Sequence, residues 1–366
     1  MKRILIDLTD LIPKEMGGIE QYVRDLVVGF AQKSTAEYQF TLLVQPAHRQ
    51  YFGKLPMHVR YKAIPGARRL KGRTRVWKVL LRAYGVNKMN YDLVHFPLQV
   101  VRFRISGLPI IVSIMDIQHE SHPEFFSEPD LVARRYIYPH SIDQADRVIA
   151  ISQFTAGELH HYYHTPLDKI DVVPLAINMN APGKNAKRLP QIFYPAATWP
   201  HKNHLNLVKA FAMFAAHHPG YSLHFSGAKK QEFEGLMNTV HELGLEDKVI
   251  HHGYVTDAQV ASLMASSEAV VFPSLFEGFG IPVLEAMATK TPVACSDIAV
   301  LKELCGDAAI YFDPHSIKKI ASAIEDVICN SKLRQKLLKQ APGVLSRYTV
   351  AALTENTIKS YDKVIG

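Results

Sequence analysis

The feature that most constrains this chain is a rhythm: short apolar runs alternate with amphipathic helical segments, and the rhythm runs twice. In the first run, strands are expected at Arg3–Leu8, Phe40–Gln45, Val59–Ile64, Tyr91–Phe96, Pro109–Ile114, Arg147–Ser152 and Lys169–Pro174. Helices fall between them at Ile19–Gln32, Arg73–Tyr84, Asp130–Gln144 and Gln153–Tyr163. A polar segment with Pro182, Gly183 and several lysines then reads as a linker over 179–190. The rhythm restarts with strands at Gln191–Ala197, Ser222–Gly227, Lys248–Gly253, Ala269–Pro273, Pro292–Ser296 and Ala309–Phe312. Its helices are expected at His204–His217, Gln231–Leu243, Ala258–Ala265, Pro282–Ala288 and Ser316–Asn330. Strands this apolar, alternating with helices for most of the length, form parallel sheets covered on both faces. At 366 residues the chain is too long for one ordinary core. Two doubly wound α/β domains are therefore expected, 1–178 and 191–345, with ligands at the carboxyl ends of the strands.

Composition excludes several classes. Three cysteines, Cys295, Cys305 and Cys329, make no disulfide framework and no metal-ligand spacing, as suits a reducing cytosol. The N-terminus runs straight into a strand without a secretory pattern. No apolar stretch approaches the roughly 20 residues of a spanning helix. Charge is lopsided: residues 1–190 carry 26 Lys and Arg against 17 acids, the remainder 16 against 17. From Tyr38 to Tyr91 there are twelve Lys and Arg and no acid at all. Within 67–84, Trp77, Leu80, Leu81 and Tyr84 alternate with Arg75, Lys78 and Arg82 at helical spacing. Such a segment suits peripheral contact with an anionic membrane, or packs its apolar side on its own domain. No nucleic-acid module is recognisable.

The chemistry concentrates in Glu277-Gly-Phe-Gly-Ile-Pro-Val-Leu-Glu285. Glu277 is expected on the loop after an apolar strand, and Glu285 about one turn into the next helix. Pro282 suits a first helical position, and Gly278 and Gly280 let amides approach a ligand. A helix N-terminus favours an anion, and carboxylates accept pairs of hydroxyl hydrogen bonds. Together these describe a site for a sugar nucleotide.

The segment resembles the Glu-(seven residues)-Glu signature of retaining GT-B glycosyltransferases of the family-4 type. The resemblance implies two Rossmann-like domains facing across a cleft, with a terminal helix, 346–366, packing back on the first. It implies that Glu277 contacts the donor sugar and Glu285 the ribose hydroxyls. Phe279, Gly280 and Ile281 would help hold the sugar and diphosphate. Gly17 and Gly18, after the first strand, resemble the Gly-rich loop that touches the diphosphate. In Thr198-Trp-Pro-His-Lys-Asn203, Lys202 fits the family's phosphate-binding lysine and Asn203 can cap a helix. No Arg precedes Lys202, so His201 is the natural second partner. Relatives carry His-Asp where this chain has Met115-Asp116; the histidine's role would pass to His119, with Asp116 orienting it. Tyr254 and Val255 belong to the loop flanking the nucleobase, and Asp257 is expected to cap the following helix. A metal reading of His119, Glu120 and His122 lacks a helical His-Glu-x-x-His context.

The expected function is retaining, metal-independent transfer of a hexose without any cofactor. The nucleotide-sugar donor would be GDP-mannose first, the acceptor a glycan or polyprenyl-diphosphate-linked saccharide. The setting would be bacterial surface polysaccharide assembly (polysaccharide and lipopolysaccharide biosynthesis) at the inner face of the cell membrane. A sugar-nucleotide epimerase or hydrolase, and a non-catalytic membrane-associated partner, are the alternatives on the same architecture.

Overall fold

The computed structural model describes residues 1–13, 15–33, 37–64, 81, 84–177 and 187–366. Apart from Leu81 and Tyr84, the expected helix Arg73–Tyr84 and the basic stretch 67–84 lie outside the described residues, as do residue 178 and 179–186 of the linker. Two compact units result: Met1–Ala176 with Tyr348–Gly366, and Ile177–Arg347.

The first unit holds a sheet of seven strands: β1 (Lys2–Asp7), β2 (Tyr38–Val44), β3 (Val59–Ala63), β4 (Leu93–Phe96), β5 (Ile110–Ile114), β6 (Arg147–Ala150) and β7 (Ile170–Val172). Their order is β3-β2-β1-β4-β5-β6-β7, every pair parallel. The second unit repeats the scheme with β8 (Leu189–Pro195), β9 (Ser222–Ser226), β10 (Val249–His251), β11 (Ser267–Phe272), β12 (Val293–Ser296) and β13 (Ile310–Phe312). The order there is β10-β9-β8-β11-β12-β13, again all parallel. The central strands are mostly apolar and deeply buried because helices cover both faces. Ile4, Leu5, Val94, Ile111 and Val112 in one sheet, and Ile192, Phe193, Val270 and Val271 in the other, are all but inaccessible to solvent.

In each sheet the chain leaves its first strand in one direction and later returns to add strands on the other side. The reversal lies between β1 and β4 in one unit and between β8 and β11 in the other. Loops leaving two neighbouring strands on opposite sides of such a point diverge and open a crevice, which is where ligands of doubly wound sheets sit.

The terminal helix Val350–Ile365 packs against the helix Gly18–Gln32 of the first unit. Polar contacts fix it there. Tyr22 Oη lies 2.8 Å from Ser113 Oγ, which lies 2.7 Å from His95 Nε2, while His95 Nδ1 lies 2.8 Å from Tyr361 Oη. This buried chain joins both helices to β4 and β5. Burial without a counter-charge drives the His95 pKa down to about 3, so the ring is neutral. Lys363 and Arg147 share Asp171 at 2.5 Å each. A helix follows β12 at Ala299–Cys305, as expected after Asp297 but without the side-chain cap expected from Asp297 or Ser296, and a second, Ser331–Leu345, appears where no helix was expected. The second carries Pro342 in its last turn, a residue that ordinarily argues against a helix interior.

Candidate active site

In the second unit β8 and β11 are neighbours, so the loops that follow them emerge side by side. After β8 the chain forms a 3-10 turn over Pro200–Lys202, then passes through Asn203 in the left-handed region (φ 58°) into the helix His204–His217. Asn203 makes no side-chain cap on that helix, contrary to expectation. Its amide instead donates to the Pro273 carbonyl at 3.0 Å and the Pro314 carbonyl at 2.8 Å. One buried side chain thus ties the loop after β8 to those after β11 and β13. The Leu275 amide donates to the His201 carbonyl at 2.8 Å, a second tie between the same loops.

These ties set the charged pair. Lys202 Nζ donates to Glu277 Oε1 at 2.5 Å, and Ser274 Oγ donates to the same oxygen at 2.6 Å. The two side chains retain 18% and 12% of their accessible area, so both are largely desolvated yet within reach of solvent. Beneath them Tyr194 Oη donates to the Lys202 carbonyl at 2.9 Å. Its pKa is raised far above the usual phenol range by burial first and by the Glu277 charge second, so it stays a donor. Ser274 carried no functional expectation. Its position three residues before Glu277, at the end of a strand, is the local signal that could have marked it.

Gly280 follows at φ 128°, where a side chain is strained, and a Cβ there would stand 2.6 Å from Leu301 Cδ2. The helix Ile281–Ala288 begins at once, with Pro282 in its first turn and Glu285 one turn in. Phe279 is buried, whereas Ile281 and Glu285 are half-buried. The motif thus delivers two carboxylates and a helix N-terminus from one strand end. Two more cations, Lys229 and Lys230, stand exposed at the carboxyl end of β9, on the other side of β8. The Lys230 amide donates to Thr198 Oγ1 at 2.7 Å, which binds that loop to the loop after β8. Sequence reading passed over them because nothing local separates them from ordinary surface lysines.

Tyr254 is 74% exposed and Val255 half-buried in the loop after β10. The helix after them is capped by Thr256 in a reciprocal capping box with Gln259; Asp257, expected as the cap, is its first residue.

In the first unit Gly17, at φ 54°, precedes the helix Gly18–Gln32, with open space where a Cβ would stand. Asp116 Oδ1 accepts from the Gln118 amide at 3.2 Å, starting a short helix, Gln118–Ser121. His119 departs from expectation. Its side chain is 0% exposed, edge-on to Tyr138 at 4.8 Å, with Nε2 2.9 Å from Tyr163 Oη. Burial lowers its pKa to about 4. The short helix turns the ring into the interior of the unit.

The chain matches the model for glycosyl transferases group 1 over residues 178–344 and that for glycosyltransferase family 4 over residues 16–181. It belongs to the GT-B glycosyltransferases. O-antigen chain mannosyltransferase B of Escherichia coli is 26% identical to this glycosyltransferase over 264 residues, covering 69% of each chain. O-antigen chain mannosyltransferase RfbU of Salmonella typhimurium is 27% identical over 251 residues, 69% of this chain and 65% of that one. Sucrose-phosphate synthase from Thermosynechococcus elongatus superposes with a TM-score of 0.76 at 18% identity, covering 99% of both chains. Anabaena HepE, solved with UDP and glucose, does so at 0.75 and 18%, over 99% of this chain and 100% of that one. At such identity the two structures speak for the fold of the glycosyltransferase alone.

Proposed function

We propose that this glycosyltransferase moves a mannosyl residue from GDP-mannose to a glycan or lipid-linked saccharide during assembly of a bacterial surface polysaccharide, with retention at the anomeric carbon. The observation that carries the reading is the Lys202–Glu277–Ser274 cluster at the switch point between β8 and β11, followed directly by the helix bearing Glu285. The mannosyltransferase names of the relatives support the choice of sugar.

On this reading Glu277 exchanges Lys202 for hydroxyls of the donor sugar, and Lys202 turns to the diphosphate. Glu285 holds the ribose. The helix N-terminus after Gly280, His201 and Lys202 share the charge that grows on the leaving group. Such preorganised donors contribute most when negative charge develops on a departing oxygen. The bond from the anomeric carbon to the phosphate oxygen breaks as the acceptor oxygen attacks from the same face. The acceptor's proton passes to the departing phosphate oxygen, so no side chain need act as general base and the protein's own cations suffice for neutralisation.

The acid-free stretch Tyr38–Tyr91 supports peripheral contact with an anionic membrane that carries the acceptor. No described helix is long and apolar enough to cross one.

Thermal-shift measurements against GDP-, UDP-, dTDP- and ADP-sugars test the donor. GDP-mannose should stabilise the protein, and Glu285→Ala and Lys202→Ala should abolish the shift. NMR of the product formed on a lipid-linked saccharide should show the donor's anomeric configuration. An inverted product, or free mannose alone, would overturn the mechanism.

A further inference from the structure

Away from the loops of the active site, three metal-ligating side chains converge on the second unit. His218 directly follows the helix His204–His217, and Glu325 and Cys329 lie one turn apart on the helix Ile317–Cys329. These helices are packing neighbours. His218 Nε2 stands 2.9 and 3.1 Å from the two Glu325 oxygens, and one ligand atom from each of the three residues lies within 4.8 Å of the others. We propose that His218, Glu325 and Cys329 form a binding site for Zn2+ that staples the ends of these two helices together.

The donor set fits the ion. One imidazole, one carboxylate and one thiolate make the mixed N, O, S environment that Zn2+ accepts in tetrahedral geometry, leaving the fourth position to water. The arrangement is held before any ion arrives. The His218 ring is stacked on Phe214 at 4.3 Å and 18°, and Phe214 is in turn held edge-on by Tyr221 at 5.2 Å. Glu325 and Cys329 share one helix face at i, i+4 spacing. Cys329 is exposed, whereas Cys295 and Cys305 are buried, so it is the thiol an ion can reach. Asp326 and Lys332 line the hollow beside it, one acid and one base. On binding, the thiol gives its proton to solvent, and carboxylate and thiolate together balance the charge of the ion.

The staple would act on the helix pair that carries the active-site loop. The other ends of the two helices begin beside Asn203 and beyond Pro314, which Asn203 ties together next to Lys202. An ion at the His218 end and a hydrogen bond at the Asn203 end therefore bracket the same two helices.

Co2+ is the informative probe, because a thiolate ligand gives it an intense charge-transfer absorption. The metal-stripped protein, kept reduced, should take up one Co2+ with that absorption, lose it on addition of Zn2+, and show a higher Tm with Zn2+. Cys329→Ser should remove the absorption. Cys329→Ser and His218→Gln should each weaken Zn2+ binding by at least ~10-fold, judged against the cost of perturbing such sites. Far-UV circular dichroism confirms that each variant is folded, and the exposed Cys329→Ser carries the test if His218→Gln loosens the Phe214 stack. Zn2+ affinity unchanged in both variants, or Co2+ bound without thiolate absorption, would overturn the site. No readout depends on the sugar donor, so the result stands apart from the proposed activity.

Discussion

The two units follow one plan, yet they treat charge at their strand ends differently. In the first, the charged and polar groups beyond the carboxyl ends are spent on internal pairs. Asp10 is paired with Arg102, His119 meets Tyr163, and Glu120 is shared by Tyr163 and Arg135. In the second, the Lys202–Glu277 pair is as buried as Asp10–Arg102, but Lys229 and Lys230 stand exposed at the neighbouring strand end. What is buried there is the scaffold: Asn203 on two carbonyls and Tyr194 beneath Lys202. A doubly wound sheet offers a crevice in either case; the second unit also supplies cations still able to change partner.

The contrast is sharpest for two cations. Lys202→Ala should lower kcat by about 10²- to 10³-fold, the cost of removing one preorganised donor, and should also lower Tm, because Glu277 then keeps only Ser274 in a largely buried place. Arg102→Ala should also destabilise, by up to about 3 kcal/mol because Asp10 loses its partner in a largely buried place, but should leave kcat unchanged. Steady-state kinetics beside thermal melts separates the two; an Arg102→Ala protein with wild-type Tm but no activity would erase the distinction.

Asn203→Ala should cost about 2–4 kcal/mol, since two buried carbonyls lose their donor. Donor affinity should fall with it, because the tie that positions Lys202 is gone. Denaturant titration reads the first effect and donor-induced thermal shift the second.

Glycine should divide the units again. Gly280→Ala forces a side chain to φ 128° against Leu301 and should cost about 1–3 kcal/mol. Gly17→Ala meets open space and should cost less, the strain of its positive-φ backbone (φ 54°, ψ −128°) alone. Equal losses would mean that the close packing at Gly280 contributes nothing.

The smallest difference concerns acid. His95 in the first unit and His204 in the second are both held neutral by burial, each with a pKa of about 3 against an ordinary value near 6.5. The unfolded chain gains protons below pH 6.5 that the folded rings refuse until about pH 3. Stability from these groups is complete above pH 6.5 and falls as the pH drops through that window. Both units should weaken together; His95→Gln and His204→Gln, followed by melting between pH 7 and 5, should each flatten part of the slope.

Much of this was legible in the order of residues. Every expected strand is present, within a few residues at either end, because an apolar run between turn signals has few other fates in an α/β chain. The helix over Ser331–Leu345 was not expected, and its last turn holds Pro342 and Gly343, two residues that disfavour a helix interior. The cap after Tyr254 fell to Thr256 rather than Asp257, a one-residue difference that spacing does not resolve. His119 stands where its position after β5 placed it, but which way its ring turns depends on Tyr138 and Tyr163, which arrive from two later helices.

The sequence by itself determined the two strand–helix runs, the glycine-hinged entry into the helix at Ile281, and the spacing of Glu277 and Glu285. All rest on interactions within a turn or two of chain, where backbone sterics and side-chain periodicity suffice. Only the tertiary structure decided that Lys202 meets Glu277, 75 residues away, that Asn203 clamps two loops rather than capping its helix, and that His218 faces Glu325 across 107 residues. Those contacts follow from which strands lie side by side, and strand order is set by the packing of the whole sheet.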